Sequence, residues 1–147
     1  MKKIFTLMMM LTAIMYANTV EDMKKDYIDI QKKEMKVPSY IDQVTFIESL
    51  TALQNSNVIQ FKYLIAKKDV RKYLKEVLKR EPTNADVEDV YARMKAGLKK
   101  DLVNAYCEKG YLEREMVDKG MEIQSIYRND DGVFLDFTVR EENCLGI

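Results

Sequence analysis

The sequence predicts an α+β fold in which two β-hairpins form one four-stranded antiparallel sheet with helices packed on one face. Two stretches alternate apolar and polar residues on either side of a polar turn, which is typical of hairpins. Other stretches repeat apolar residues at the helical period. The order along the chain is helix–hairpin–helices–hairpin, and elements in that order can stack as one sheet layer and one helix layer.

The first predicted helix covers residues 18–36. Asn18 or Thr19 can cap it, and the acidic residues at its start and lysines near its end suit the helix dipole. Its apolar stripe is narrow, which indicates packing across one side of a sheet. Val37-Pro38 ends the helix, because a residue before proline is disfavoured in the helical region.

The first predicted hairpin joins residues 45–53 to residues 58–65 through the polar turn at 54–57. The second arm alternates apolar and polar residues cleanly, as a half-buried strand does. The first arm alternates less regularly, so a helix from Ile41 to Leu53 stays open as an alternative.

Three helices are expected before the second hairpin. Residues 67–80 should form the first, capped by Asp69, with its apolar residues facing the domain. Asn84 should cap a long helix that ends by Gly110, and residues 111–119 should add a short one closed by Gly120. The apolar residues of the 67–80 helix are Val70, Tyr73, Leu74, Val77 and Leu78.

The second hairpin is predicted over residues 121–140. Aromatic and β-branched residues alternate with polar ones in both arms, so one set of side chains should face the core. The apolar runs of the two arms flank Arg128-Asn129-Asp130-Asp131-Gly132. Asp-Gly favours a tight turn there, because glycine accepts the positive φ that hairpin turns need.

The N-terminus predicts export to the periplasm. Lys2 and Lys3 precede an uncharged apolar run over residues 4–16, and Ala17 supplies a small residue for cleavage. A membrane span needs about 20 apolar residues, so this run is short for one. We therefore expect a signal peptide at 1–17 and a single α+β domain at 18–147. A retained anchor or a buried helix is the alternative.

The two cysteines, Cys107 and Cys144, flank the second hairpin. In an exported chain they predict a disulfide that ties the end of the long helix to the end of the last strand. A redox pair or a metal site is the alternative. Redox cysteines usually lie two residues apart, and a zinc site needs further ligands, which no histidine is present to supply.

A resemblance covers most of the chain after the signal peptide. The layout has Pro38-x3-Asp42-x2-Thr45, Phe61-x-Tyr63, Cys107, Gly120, Tyr127-x4-Gly132, Phe137-x-Val139 and Cys144. It resembles a loose group of short exported bacterial proteins that end in a hairpin followed by a cysteine. The resemblance implies a fold and export, and it implies no catalytic residue.

Several chemistries have no support in the sequence. Without histidine there is no Ser–His or Cys–His pair, and no glycine-rich loop could hold a nucleotide, so no cofactor and no metal is predicted. A hydrolase that uses two carboxylates stays open as an alternative. Its candidate residues are Glu113, Glu115, Asp118, Asp136 and Glu142, although each of them is typical of a solvated surface charge.

The charge pattern points to a partner surface. Residues 67–80 hold seven basic and two acidic residues, a net charge of +5, whereas residues 130–142 have a net charge of −4. Removal of residues 1–17 takes away Lys2 and Lys3 and leaves 22 basic and 24 acidic residues, so nucleic acid is not an expected partner. The predicted partner-binding residues are Lys68, Lys72, Lys75 and Lys79.

These observations predict a small, non-enzymatic, disulfide-stapled periplasmic protein that binds another envelope protein. An exposed apolar patch on the sheet would favour this interpretation, whereas a deep cleft with two close carboxylates would favour the hydrolase. A third alternative is peripheral association with the membrane through the basic helix. Basic residues beside an exposed Tyr73 or Leu74 would favour it.

Overall fold

The computed structural model describes residues 20–147. The predicted signal peptide and the capping residues Asn18 and Thr19 lie outside the described residues. The elements are α1 (Val20–Met35), β1 (Ser39–Tyr40), β2 (Phe46–Ala52), β3 (Val58–Leu64), α2 (Lys67–Leu78), α3 (Asn84–Cys107), α4 (Leu112–Asp118), β4 (Glu122–Asn129), β5 (Gly132–Val139) and a 3₁₀ helix (Glu141–Cys144).

The sheet has five strands in the order β1-β2-β3-β4-β5 and is mixed. β1 pairs with β2, β2 with β3 and β4 with β5 in antiparallel fashion, but β3 pairs with β4 in parallel. The α+β class is therefore confirmed, and the prediction of a four-stranded antiparallel sheet is wrong. Alternation of apolar and polar residues sets which face a strand buries, but it does not set the direction of the neighbouring strand.

The parallel pairing follows from the connection between the hairpins. Residues 65–121 leave one end of β3, carry α2, α3 and α4, and return to the other end, so that β4 runs in the same direction as β3. Parallel neighbours need a crossover of this kind, whereas a short turn joins only antiparallel strands.

Both predicted hairpins are present, and the segment 41–53 contains the strand β2 (Phe46–Ala52) and no helix. The turn of the second hairpin differs in detail from the prediction. Its two loop residues are Asp130 and Asp131, and Gly132 is already the first residue of β5, with a φ of 134°. The Asn129 side-chain oxygen accepts a hydrogen bond from the Asp131 backbone N–H at 2.9 Å, which closes the turn.

The helices α1 and α3 lie on the same face of the sheet. Tyr27 of α1 and Tyr106 of α3 both contact the ring of Phe61 on β3, with centroid distances of 6.5 and 6.4 Å. On the other face, Gln60 donates to Gln124 and Gln124 donates to Asp136, so a row of polar side chains crosses three strands. Within residues 20–147, no helix is both long enough and apolar enough to cross a membrane.

Two helix starts differ from the sequence expectation. The N-cap of α2 is Ala66, which makes no side-chain cap bond, so Asp69 lies inside the first turn instead of capping it. The N-cap of α3 is Thr83 instead of Asn84, because Thr83 and Asp86 form a reciprocal capping box.

A disulfide joins Cys107 to Cys144, with 5.1 Å between the two Cα atoms. Cys107 is the last residue of α3, and Cys144 is the last residue of the 3₁₀ helix that follows β5. Both side chains are buried. The bond therefore holds the end of the long helix against the end of the sheet, as the sequence predicts.

Replacement of both cysteines, Cys107→Ala and Cys144→Ala, should lower the free energy of unfolding by about 4 kcal/mol, the loop-entropy value for a closed loop of this length. The two residues are 37 positions apart, so the unfolded chain gains considerable freedom when the bond is removed. Urea denaturation measures the difference, and the natural chain in a reducing agent serves as the control. A loss below about 1 kcal/mol would show that the bond adds little to stability.

Candidate binding surface

The start of α2 is fixed to the tip of the second hairpin. The backbone N–H of Lys67 donates to the Asp130 carboxylate at 2.6 Å, and its ammonium group lies 2.5 Å from Asp131 and 3.7 Å from Glu88. The ammonium group of Lys67 is thus paired with carboxylates, so Lys67 is not part of a free basic surface. This anchoring places α2 at the end of the sheet where β4 ends and β5 begins.

The other end of α2 is fixed to the start of α3. Arg71 donates to the Pro82 carbonyl at 3.1 Å, and Arg80 forms two hydrogen bonds with Asp86, at 2.7 and 2.9 Å. The Arg80 guanidinium, together with hydrogen bonds from Thr83, holds the pKa of the Asp86 carboxyl well below its ordinary value. Asp86 therefore stays ionised and links the two helices.

The four predicted partner-binding lysines are all exposed, and we call them the lysine strip: Lys68, Lys72, Lys75 and Lys79. At about 3.6 residues per turn they lie on the side of the helix opposite the buried Val70. Lys75 pairs with Glu81. In the described part of the chain, the other three lysines of the strip make no ion pair. Their binding role stays a prediction.

The apolar side of α2 is buried less than predicted. Val70 and Leu74 are buried, but Tyr73, Val77 and Leu78 are 40, 55 and 38% exposed. The expectation that all five residues face the domain is wrong. The reason is that α2 packs mainly against α3, so its apolar arc is wider than its contact.

Tyr73 lies next to the loop that follows β1. A shallow depression of about 200 Å³ is lined by Gln43, Asp69, Lys72, Tyr73 and Glu76. At its border the Tyr40 hydroxyl donates to Asp69 at 2.8 Å, and Tyr40 is itself exposed. Exposed Tyr40 and Tyr73 therefore lie together beside α2, whereas the outer face of the sheet carries the polar row.

Three of the five candidate carboxylates each contact a separate partner in the described part of the chain. Glu113 accepts a hydrogen bond from Tyr27 at 3.0 Å, Asp118 pairs with Arg114 at 2.8 Å, and Asp136 accepts from Gln124 on the outer face of the sheet. Over residues 20–147, no group of three carboxylate, cysteine or histidine side chains is arranged to hold a metal ion.

Sequence reasoning missed a continuous row of aromatic rings in the core. It runs through Tyr27, Phe61, Tyr63, Tyr127, Phe134 and Tyr91, with neighbouring centroids between 4.5 and 6.5 Å apart. Burial raises the pKa of Tyr63 far above its ordinary value and that of Tyr106 to about 12, so both phenols stay protonated. The alternating aromatics of β3 and β4 carried this signal, but the parallel pairing that aligns them was not foreseen.

Two solved structures share this fold. One is a protein of Pseudomonas aeruginosa, PA3611, that is provisionally described as secreted; it is 9% identical, has a TM-score of 0.58, and the match covers 85% of this chain and 92% of that chain. The other is the pilotin EpsS of the type 2 secretion system of Vibrio vulnificus, with 16% identity, a TM-score of 0.55, and coverage of 87% and 94%.

At these identities the likeness shows a common fold alone. No protein-family model matches the sequence, and no curated protein matches it. One neighbour is provisionally described as secreted, and the other is a pilotin of a secretion system. Both descriptions are consistent with the group of exported proteins that the sequence resembles.

The Asp86→Asn variant should lose less stability in acid than the natural chain. Because the folded-state pKa of Asp86 lies below its ordinary value of 3.8, its contribution to the free energy of unfolding is complete above that value and is lost as the pH falls toward the folded-state pKa. The variant has no such charge to titrate and should be less stable at neutral pH. Thermal unfolding at a series of pH values checks this.

Asp89→Asn is the matched control for Asp86→Asn, since Asp89 pairs with Arg93 on the exposed side of α3 and caps no helix. Its unfolding curve should follow the natural chain in acid. Parallel acid dependence in the natural chain and in Asp86→Asn would contradict the role assigned to Asp86.

Proposed function

We propose that this chain is an exported accessory protein of the bacterial envelope that acts by binding another envelope protein, with α2 as its contact element. The observation that carries the proposal is the surface of α2. It combines the lysine strip with exposed Tyr73, Val77 and Leu78 in one helix that is held rigidly at both ends. Protein interfaces commonly surround apolar anchors with a charged rim.

Export to the periplasm is supported by the sequence and by the disulfide. The basic start and apolar run of residues 1–17 are typical of a signal peptide. The Cys107–Cys144 bond suits an oxidising compartment, since such bonds are rare in the cytosol. The shared fold of a protein provisionally described as secreted and of a secretion-system pilotin also supports export. We therefore extend the role of envelope accessory protein to this chain.

A protein partner suits α2 better than a lipid surface does. Tyr73 is exposed beside Lys72, as a membrane-associated helix would require. However, at about 3.6 residues per turn Asp69 and Glu76 lie between the lysine strip and Tyr73. Two carboxylates in the middle of the contact would be repelled by a uniformly anionic membrane, whereas a protein can present mixed charge to them.

The lysine strip sets the expected chemistry of the partner. Three lysines that form no ion pair within residues 20–147 create a positive surface that attracts an acidic one over about 8 Å at physiological salt. Such a surface raises the association rate, and the apolar residues beside it slow dissociation once contact is made. We expect an acidic partner surface that carries apolar side chains.

Reversal of the strip, by Lys68→Glu, Lys72→Glu, Lys75→Glu and Lys79→Glu, should abolish or slow capture of the partner from envelope extract at low salt. The fold should survive, because exposed substitutions typically shift stability by only about 0.5 kcal/mol each. The natural protein is purified from the periplasmic fraction of its host. N-terminal sequencing of this protein should show Asn18 as its first residue, because residues 1–17 are removed on export. Partner recovery is then measured by quantitative mass spectrometry.

The matched control reverses four exposed lysines on other helices: Lys25, Lys33, Lys95 and Lys100. It changes the net charge by the same amount and should capture the partner nearly as well as the natural chain. Equal capture by all three proteins would mean that α2 is a solvated helix and not the contact element. An intact Met1 chain recovered only from the cytosol would contradict export.

A further inference from the structure

We infer that α2 of one copy docks on the acidic end of a second copy of this chain, in a head-to-tail contact. The inference shares with the proposed function only the premise that α2 is a contact element. It names an occupant that the structure itself supplies, because this chain carries an exposed surface complementary to α2.

The complementary surface lies at the far end of the molecule. We call it the acidic end: a depression of about 350 Å³ lined by Gly120, Met121, Glu122, Arg140, Glu141, Glu142 and Leu145. Glu122 pairs with Arg140 at 2.9 Å. Within the described residues, Glu141 and Glu142 form no ion pair, and both are exposed.

The acidic end also has an apolar anchor. Leu145 is 73% exposed at the border of the depression and is the most exposed large apolar side chain within residues 20–147. On the other surface, Val77 and Leu78 project from the last turn of α2, and Leu78 is the neighbour of Lys75 at the i, i+3 spacing. Each surface therefore offers exposed apolar groups together with unpaired charge, and the two charges have opposite sign.

One copy cannot bring its own two surfaces together. The start of α2 is tied to Asp130 and Asp131, at the tip of the second hairpin. Arg140 pairs with Glu122, at the opposite end of the same hairpin. The strand β4 between these ends has eight residues, which span roughly 26 Å at about 3.3 Å per residue. The complementary surfaces can therefore meet only between copies.

A contact between two different patches leaves one patch free on each copy. It therefore extends into a chain of copies or closes into a ring, unlike the twofold contact of a symmetric dimer. This feature makes the inference testable with purified protein, because blocking one patch on one copy and the other patch on its neighbour must stop the assembly at two.

The experiment uses sedimentation velocity of the mature protein at low and physiological salt. The natural chain should associate with concentration at low salt and dissociate as salt screens the charges. One variant removes the basic patch by Lys68→Gln, Lys72→Gln and Lys79→Gln, and the other removes the acidic patch by Glu141→Gln and Glu142→Gln. Each exposed pair contributes at most about fivefold, so loss of the two pairs that Glu141 and Glu142 can form should weaken association of either variant alone by up to about 25-fold.

The mixture of the two variants is the decisive sample. The acidic end of the first variant is intact, and so is α2 of the second, so the mixture should form a 1:1 dimer and nothing larger. Leu145→Ser should weaken association of the natural chain at every salt concentration. Val133→Ser, which alters an apolar side chain exposed on β5, is the matched control and should have no effect.

Three results would overturn the inference. The natural chain could stay monomeric at low salt, the two variants could fail to dimerise when mixed, or both variants could associate as the natural chain does. Vesicles of phosphatidylglycerol and phosphatidylcholine test the other occupant: binding that depends on the lysine strip, by a chain that stays monomeric, would assign α2 to lipid. A monomer that still captures an envelope protein would overturn this inference and leave the proposed function standing.

Discussion

The row of aromatic rings is the interaction on which the rest of the fold depends. It starts at Tyr27 in α1, crosses β3, β4 and β5, and ends at Tyr91 in α3. The closest contact is between Tyr63 and Tyr127, which the parallel register of β3 and β4 places side by side. Aromatic pairs add about 0.5–1.5 kcal/mol each beyond their buried area, so the row holds the two hairpins and two helices as one body.

This row also explains why α2 is free to make contacts. The Tyr91 hydroxyl donates to the Ile65 carbonyl at 2.7 Å, so the row fixes the point where the chain leaves β3 for α2. Beyond that point α2 contributes Val70 and Leu74 to the core and leaves its other apolar residues outside. Anchors at Lys67 and Arg80 then hold it in place, and it can bind without a change in the core.

The sequence predicted what depends on local pattern and missed what depends on pairing between distant segments. Both hairpins, the long helix and the Cys107–Cys144 bond follow from periodicity, turn residues and the cysteine count. The parallel join of β3 to β4 does not, because alternation is the same for either strand direction. The exposure of Tyr73 and Val77 was missed for a similar reason: helical spacing gives the apolar arc of α2 but not the width of the surface it meets.

The most direct test of the account is site-specific photocrosslinking in living cells of the natural host. The crosslinking residue p-benzoylphenylalanine is placed at Tyr73 on α2, at Lys62 on the outer face of the sheet, or at Lys95 on α3, all of which are exposed. The account predicts crosslinks to an envelope protein, or to a second copy of this chain, from position 73 and not from the other two. Crosslinks from position 62 with none from position 73 would contradict it, since the contact surface would then be the sheet.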